Sequence, residues 1–94
     1  MEFEHDHEKS EANLRQRGFD FEFAASILDG PTLEKEDRRR DYGERRMIAV
    51  GLTQGLALTV VYTDRRIGPE SVVRRLISAR RSNRGERKAY ERIL

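Results

Sequence analysis

The period of the apolar residues changes at Gly30-Pro31, and this change constrains the fold more than any other feature of the sequence. Before it, four apolar residues have the i, i+3, i+4, i+7 spacing of one helix face: Phe21, Ala24, Ala25 and Leu28. After it, residues 46–52 alternate with a period of two, and residues 56–63 are rich in β-branched side chains, as strands are. The chain therefore combines a helical N-terminal third with a β-rich remainder, which predicts an α+β fold.

The predicted elements follow in the order β-α-α-β-β-β-β-α. They are a short strand around Phe3, helices over 8–17 and 21–28, strands over 32–36, 46–52, 56–63 and 72–79, and a helix over 84–93. Gly18 is the expected C-cap of the first helix and Asp20 the N-cap of the second. The turn at Thr53-Gln54-Gly55 is too short for a crossover, so the strands should be antiparallel. We expect one domain over residues 1–94, with an antiparallel sheet and the helices packed on one face.

Cysteine usage and hydropathy exclude several classes of protein. The chain has no Cys, which excludes a disulfide framework, a thiol nucleophile and a Cys-based metal site. Its longest apolar run, Leu56 to Tyr62, is far shorter than the ~20 residues of a membrane span. The acidic start of the chain lacks the apolar core of a secretory signal. We therefore expect a cytoplasmic protein with no membrane contact.

Charge is distributed unevenly along the chain. Residues 1–30 hold eight acidic and three basic residues, a net charge of −5, whereas residues 31–94 hold nine acidic and sixteen basic residues, a net charge of +7. Sixteen of the nineteen basic residues are Arg, whose planar fork binds phosphate through two parallel hydrogen bonds. The basic part favours a polyanion such as nucleic acid, or an acidic protein partner, against the alternative of a plain solvated surface.

Known chemical motifs give little support to other activities. The sequence has no phosphate-binding P-loop, no nucleophile elbow and no RNP-type aromatic motif. On a strand, His5 and His7 would face the same side, as in a two-His metal site, but a third ligand would have to be Asp or Glu. A solvent-exposed strand end is the simpler interpretation, and we predict no metal and no other cofactor.

Four segments carry a resemblance to a known family over almost the whole chain. They are Phe3-Glu4-His5-Asp6-His7-Glu8-Lys9 with Asn13 and Gly18, then Phe21 to Ala25, then Tyr42-Gly43-Glu44-Arg45-Arg46 with Ile48 to Gly51, and finally Leu76 to Ser82 with Glu86-Arg87 and Tyr90-Glu91. These segments resemble the BrnT toxins of type II toxin–antitoxin modules. The last segment is the most specific. The sequence departs from the family where Gln16-Arg17 replaces a common Lys-His pair and where His5 replaces an aromatic residue.

The resemblance implies a RelE-like ribonuclease fold and an endoribonuclease toxin that cleaves RNA and stops translation. It also implies a BrnA-like antitoxin, an assembly with two copies of each protein, and contact with operator DNA through the antitoxin. A surplus of apolar residues for a small core likewise favours a protein partner. The surplus consists either of Leu33, Leu56, Leu58 and Val60 or of the apolar pairs of the C-terminal helix, Ala89 with Ile93 and Tyr90 with Leu94. The alternative is a non-catalytic member that only binds its antitoxin within a repressor complex, which the Gln16-Arg17 departure slightly favours.

Metal-independent RNA cleavage needs a general base and fixed cations that stabilise the phosphorane. We assign the base to Glu44, and charge stabilisation to Arg46 and Arg80, which flank or lie on predicted strands and should converge on one groove. Further candidates for binding RNA are Lys9, Arg17, Arg45, Arg65, Arg81 and Tyr62. The run Arg38-Arg39-Arg40 either follows a phosphate backbone or is a charged loop that becomes ordered on partner binding.

Overall fold

The computed structural model describes residues 1–94 as a five-stranded sheet with helices on both sides. The strands are β1 (Glu2–His5), β2 (Leu33–Glu36), β3 (Met47–Thr53), β4 (Leu56–Arg66) and β5 (Val72–Arg81). The helices are α1 (His7–Arg17), α2 (Phe21–Ala25) and α3 (Arg84–Glu91), and a 3-10 helix spans Ser26–Asp29. The predicted mixed α+β class is confirmed. None of these helices is both long enough and apolar enough to cross a membrane.

Local capping signals place the first two helices. The Asp6 carboxylate accepts a hydrogen bond from the Lys9 N–H at 3.1 Å and so begins α1 directly after β1. Gly18 ends α1 in the left-handed conformation, with a φ of 87°. Asp20 then begins α2, accepting from the Phe23 N–H at 2.8 Å. The predicted caps are confirmed, but the helix predicted over 21–28 becomes a 3-10 helix after Ala25.

The sheet has the strand order β1-β5-β4-β3-β2. Strands β2 to β5 pair antiparallel, as predicted, and Gln54 and Gly55 form the β3–β4 turn with φ values of 47° and 81°. The first strand, however, pairs parallel with β5, from Glu2 beside Val73 to His5 beside Leu76. The sheet is therefore mostly antiparallel rather than wholly so. Because β1 ends at His5, the edge of β5 beyond Leu76 has no neighbouring strand.

The two faces of the sheet carry different helices. One, the inner face, packs against α2 and the 3-10 helix in the main hydrophobic core: Phe21, Ala24, Ile27, Ala49, Leu58 and Val60. The other, the outer face, carries α3: Ile48 and Val50, which alternate with Ala49, line a cleft with Ala89 of α3. The prediction that all helices pack on one face is therefore wrong. It fails because β3 is apolar on both sides and attracts a helix to each.

Some of the apolar side chains that were expected to exceed the needs of the core are buried in it. Leu58 and Val60 are fully buried on the inner face, so the expectation that they remain for a partner is wrong. Leu33 and Leu56 are only partly buried. The two fully buried residues of β4 are excluded from water because the helices on the inner face bring Ala24 and Ile27 onto the same core.

A bulge in β5 decides which side chains reach the outer face. Val61 pairs with Ser78, but the next residue of β4, Tyr62, pairs with Leu76, so Ile77 has no partner on β4. Strict alternation would place Leu76 and Arg80 on the same face. With the bulge, Leu76 joins the inner core while Arg80, opposite Thr59, lies on the outer face.

Close packing of the 3-10 helix on β3 requires glycine at position 51. A Cβ atom on Gly51 would lie 3.0 Å from the Ile27 Cβ and 3.2 Å from the Ile27 carbonyl oxygen. We therefore expect Gly51→Ala to lower the free energy of unfolding by about 1–3 kcal/mol through overpacking, measured by urea denaturation. Gly68→Ala is the control, since nothing lies within 4 Å of its added Cβ. Equal stability of the two variants would contradict this account.

Candidate nucleic-acid interface

Arg80 presents a fixed guanidinium group on the outer face. Its Nη1 and Nη2 atoms donate to the two carboxylate oxygens of Glu86, both at 2.8 Å. The Arg80 side chain is still 43 % exposed. A two-point contact fixes the plane of the guanidinium group and leaves other N–H donors free. Arg80 is thus both oriented and accessible.

Glu86 is held in place by three elements of the fold. It closes the capping box of α3, accepting from the Asn83 N–H at 2.8 Å. It also accepts from the hydroxyl of Thr59 on β4, at 3.1 Å. The hydrogen bond from Arg80 is the main cause that lowers the pKa of Glu86 to about 2, and it correspondingly raises the pKa of Arg80. Glu86 is therefore an anion at neutral pH and far too acidic to serve as a general base.

Glu44 and Arg46 form a second pair, in the segment that enters β3. The Arg46 Nε donates to Glu44 at 2.9 Å, and the Arg46 guanidinium lies 4.0 Å above the ring of Tyr42. Two residues before Ile48, Arg46 continues the outer face. Glu44 and Arg46 are thus in contact, but no hydrogen bond or ion pair connects them to Arg80. The structure places Arg46 and Arg80 on one face without bringing them into contact.

Several predicted RNA-binding residues gather at the free edge of β5. Lys9, Gln16 and Arg17 of α1 line a cleft with the backbone segment 77–79. The cleft continues past Arg17 to Arg80 and Arg81. The Arg17 Nη1 donates to the Ala79 carbonyl at 3.0 Å, which ties α1 to this edge. We call this region the edge cleft; its charged side chains are all basic.

Arg45 and Arg65 lie apart from the edge cleft. Arg45 faces Glu36 at 3.5 Å, and Arg65 is bound to Glu4 of β1. Both side chains remain more than half exposed, as expected for surface ion pairs. The structure therefore distributes the predicted cations over more than one region.

Tyr62 is not placed to stack on a base. It is buried on the inner face, its hydroxyl donates to Glu34, and Arg74 lies 4.0 Å above its ring. Burial and the bond to Glu34 raise its pKa. Stacking on a base needs an exposed ring, whereas Tyr62 is only 4 % exposed. The strand's strong apolar character is the signal that could have indicated burial.

The two histidines do not share a strand face, because the strand ends between them. His5 is the last residue of β1 and lies edge-on to Phe21, with ring centroids 5.8 Å apart. His7 is the first residue of α1 and pairs with Glu11 at 3.1 Å. The same-face placement that a two-His metal site would require is therefore absent. No group of three or more His, Asp or Glu side chains is placed to hold a metal ion.

Two carboxylates important to this interface were missed from the sequence. Glu86 was detectable, since Asn83 followed three residues later by Glu is the pattern of a capping box. Asp37, which is buried and holds Arg39, gives no such signal, since it lies in a charged segment that reads as a solvated loop. Its role depends on the path of the loop, which tertiary contacts set.

The comparisons with known proteins agree with the sequence resemblance. The family model described as "Ribonuclease toxin, BrnT, of type II toxin-antitoxin system" matches residues 5–86 of the 94. That range contains Arg80, Glu86, the Glu44–Arg46 pair and the edge cleft. No curated protein matches the chain.

The Arg80–Glu86 contact predicts a defined dependence of stability on pH. Because the pKa of Glu86 is lowered from 4.5 to about 2 in the fold, its stabilising contribution is complete above about pH 4.5 and is lost as the pH falls through about 2. We expect Glu86→Gln to be less stable than the wild type at neutral pH. The variant should also lack the part of the loss of stability at low pH that comes from protonation of Glu86. Thermal unfolding of the variant and the wild type from pH 2 to 7 measures this dependence of stability on pH. Glu91→Gln, on the exposed side of α3, is the control, and superimposable curves for the two variants would refute the prediction.

Proposed function

The chain belongs to the BrnT family of ribonuclease toxins from type II toxin–antitoxin systems, and from this premise we propose that it is itself a metal-independent endoribonuclease. The observation that carries the proposal is Arg80, whose exposed guanidinium is fixed by Glu86 on a rigid strand. Preorganised cations of this kind stabilise charge that develops in a transition state. The family relation further supports a RelE-like fold and a cytoplasmic site of action.

The proposed reaction is attack of a ribose 2′-oxygen on the adjacent phosphorus. The new O2′–P bond closes a 2′,3′-cyclic phosphate as the P–O5′ bond breaks. The 2′-proton passes to a base, and the leaving 5′-oxygen takes a proton from water. Arg80 stabilises the negative charge on the phosphorane oxygens. We assign proton removal to Glu44, since its carboxylate is exposed and is held by Arg46. Cations of the edge cleft, Lys9, Arg17 and Arg81, are proposed to bind neighbouring phosphates.

The proposed partner is a BrnA-like antitoxin, in an assembly with two copies of each protein that contacts operator DNA through the antitoxin. The free edge strand β2 and the partly buried Leu33 and Leu56 offer backbone and apolar groups to such a partner. An antitoxin that covers the basic surface would exclude RNA by occupying the same residues.

A non-catalytic role is the second candidate, and two observations favour it. Arg46 and Arg80 are each already paired with a carboxylate, and position 17 of the edge cleft holds an Arg, which cannot exchange a proton near neutral pH. In this non-catalytic role, the chain binds antitoxin and operator DNA as part of a repressor and does not cleave RNA.

Cleavage of a long single-stranded RNA in EDTA distinguishes the two roles. We expect Arg80→Ala to lower the rate by about 10²–10³-fold, because two charge-assisted bonds to the phosphorane are lost. Arg80→Lys should recover only part of this loss, since Lys provides a point charge without the planar fork. Arg84→Ala, an exposed Arg in the first turn of α3 that makes no ion pair, is the matched control. No cleavage by the wild type, with antitoxin binding intact, would establish the non-catalytic role.

The assignment of the base is tested separately. If Glu44 removes the 2′-proton, Glu44→Gln lowers the rate by about 10²-fold or more, because the amide cannot accept that proton. A much smaller loss means that Glu44 only positions Arg46. An unchanged rate for both Glu44→Gln and Arg80→Ala would remove these residues from the mechanism.

A further inference from the structure

The loop between β2 and β3 contains an arginine that is anchored as firmly as Arg80. Arg39 donates from its Nε and Nη2 atoms to the two carboxylate oxygens of Asp37, at 2.8 and 2.7 Å. The Arg39 side chain is 71 % exposed, whereas that of Asp37 is 1 % exposed. An exposed cation is thus held by a buried anion. Ordinary surface ion pairs expose both partners and are weakly ordered.

Asp37 is itself fully engaged. Its carboxylate also accepts from the backbone N–H of Arg39 at 3.2 Å and from the Tyr42 hydroxyl at 3.1 Å. Its backbone N–H donates to the Arg46 carbonyl at 2.8 Å, which extends the β2–β3 ladder by one pair. The bonds from Arg39 are the main cause that keeps the pKa of Asp37 well below its usual range. The carboxylate therefore stays ionised and keeps Arg39 oriented at any physiological pH.

The ladder places this pair on the same face of the sheet as Arg80. Asp37 is the next outer-face position after Lys35, and it is bonded to Arg46, which also continues that face. Arg39 lies close enough to Arg80 for its positive charge to offset a small part of the rise that the hydrogen bond to Glu86 causes in the pKa of Arg80. Two anchored guanidinium groups therefore lie on one face, supplied by elements 41 residues apart in the sequence.

We propose that Arg39 and Arg80 together form a clamp for the phosphodiester backbone of single-stranded RNA on the outer face, with Asp37 as the residue that positions Arg39. This inference rests on the proposed function, in which RNA is the substrate, and it adds Arg39 to the residues that are proposed to bind that RNA. Each guanidinium group has five N–H donors, and Arg39 uses two of them on Asp37. The remaining donors point away from Asp37 and are free for phosphate oxygens. Because the orientation is fixed before binding, little side-chain entropy is lost when RNA binds.

The neighbouring arginine supplies a matched control. Arg38 has the same charge, is 82 % exposed, and contacts only Glu36, at 3.3 Å. A loop that attracts RNA by charge alone would use Arg38 and Arg39 equally. A clamp would use Arg39 alone, because Arg39 is the one that Asp37 orients.

Binding of a fluorescein-labelled, single-stranded 2′-O-methyl RNA tests the clamp without cleavage, since the substrate has no 2′-hydroxyl. We expect Arg39→Gln to raise Kd by about 10-fold or more and Arg38→Gln by less than about 3-fold. The slope of log Kd against log salt should also fall by about one for Arg39→Gln. Equal effects of the two variants would overturn the clamp.

Asp37→Asn separates positioning from simple electrostatics. This variant gains one positive charge, so charge attraction alone predicts tighter binding of RNA. The clamp predicts weaker binding, because an amide does not hold the guanidinium fork as a carboxylate does. Tighter binding would refute the positioning role of Asp37. Circular dichroism and thermal unfolding check that the variant is folded; if it is not, the comparison of Arg38→Gln with Arg39→Gln decides alone.

The outcomes also distinguish this inference from the proposed function. If the wild type binds and cleaves RNA while Arg39→Gln behaves like Arg38→Gln, only the clamp is wrong. If the wild type does not bind single-stranded RNA, the clamp and the proposed function both fail. A duplex DNA of equal length is measured in parallel, and tighter binding to the duplex would overturn the assignment to single-stranded RNA.

Discussion

The outer face depends on one carboxylate, that of Glu86. It receives Arg80 from β5, Thr59 from β4 and the Asn83 backbone N–H at the start of α3. Loss of this anion would leave Arg80 without orientation and α3 without part of its cap. The three contacts are mutually supporting, since each donor holds the carboxylate where the others need it. The interaction thus connects the start of the last helix to the chemistry proposed for Arg80.

The same device recurs on this face: a cation is exposed for binding while a less exposed anion orients it. Arg39 and Asp37 show it most clearly. Arg46 is oriented in a different way, since it is less exposed than Glu44, to which it is bonded, and it also lies over the ring of Tyr42. In each pair the carboxylate lowers the local positive charge. It also gives the guanidinium group a defined direction, which matters more for phosphate recognition than charge alone. The acidic N-terminal part, residues 1–30, forms β1, α1, α2 and the 3-10 helix, so it lies over the inner face and at one edge.

Much of the fold was predictable because its signals are local. Capping by Asp20, the left-handed Gly18 and the tight turn at Gln54-Gly55 each depend on a few neighbouring residues, and each appears where predicted. Part of the site was predictable for the same reason, since Glu44 and Arg46 are two residues apart at a strand start and do meet. The contact of the Tyr62 hydroxyl with Glu34 was not predictable in this way, because Glu34 lies two strands away in the sheet.

The sequence by itself determined which segments become helices and strands, the antiparallel pairing of β2 to β5, and the family to which the chain belongs. These follow from short-range periodicity, turn length and motif spacing. Only the tertiary structure decided that β1 pairs parallel with β5, that α3 packs on the outer face, and that a bulge at Ile77 moves Arg80 to that face. Each of these joins residues far apart in the chain. These three features are stabilised by burial and by long-range hydrogen bonds. Neighbouring residues in the sequence carry no signal for either.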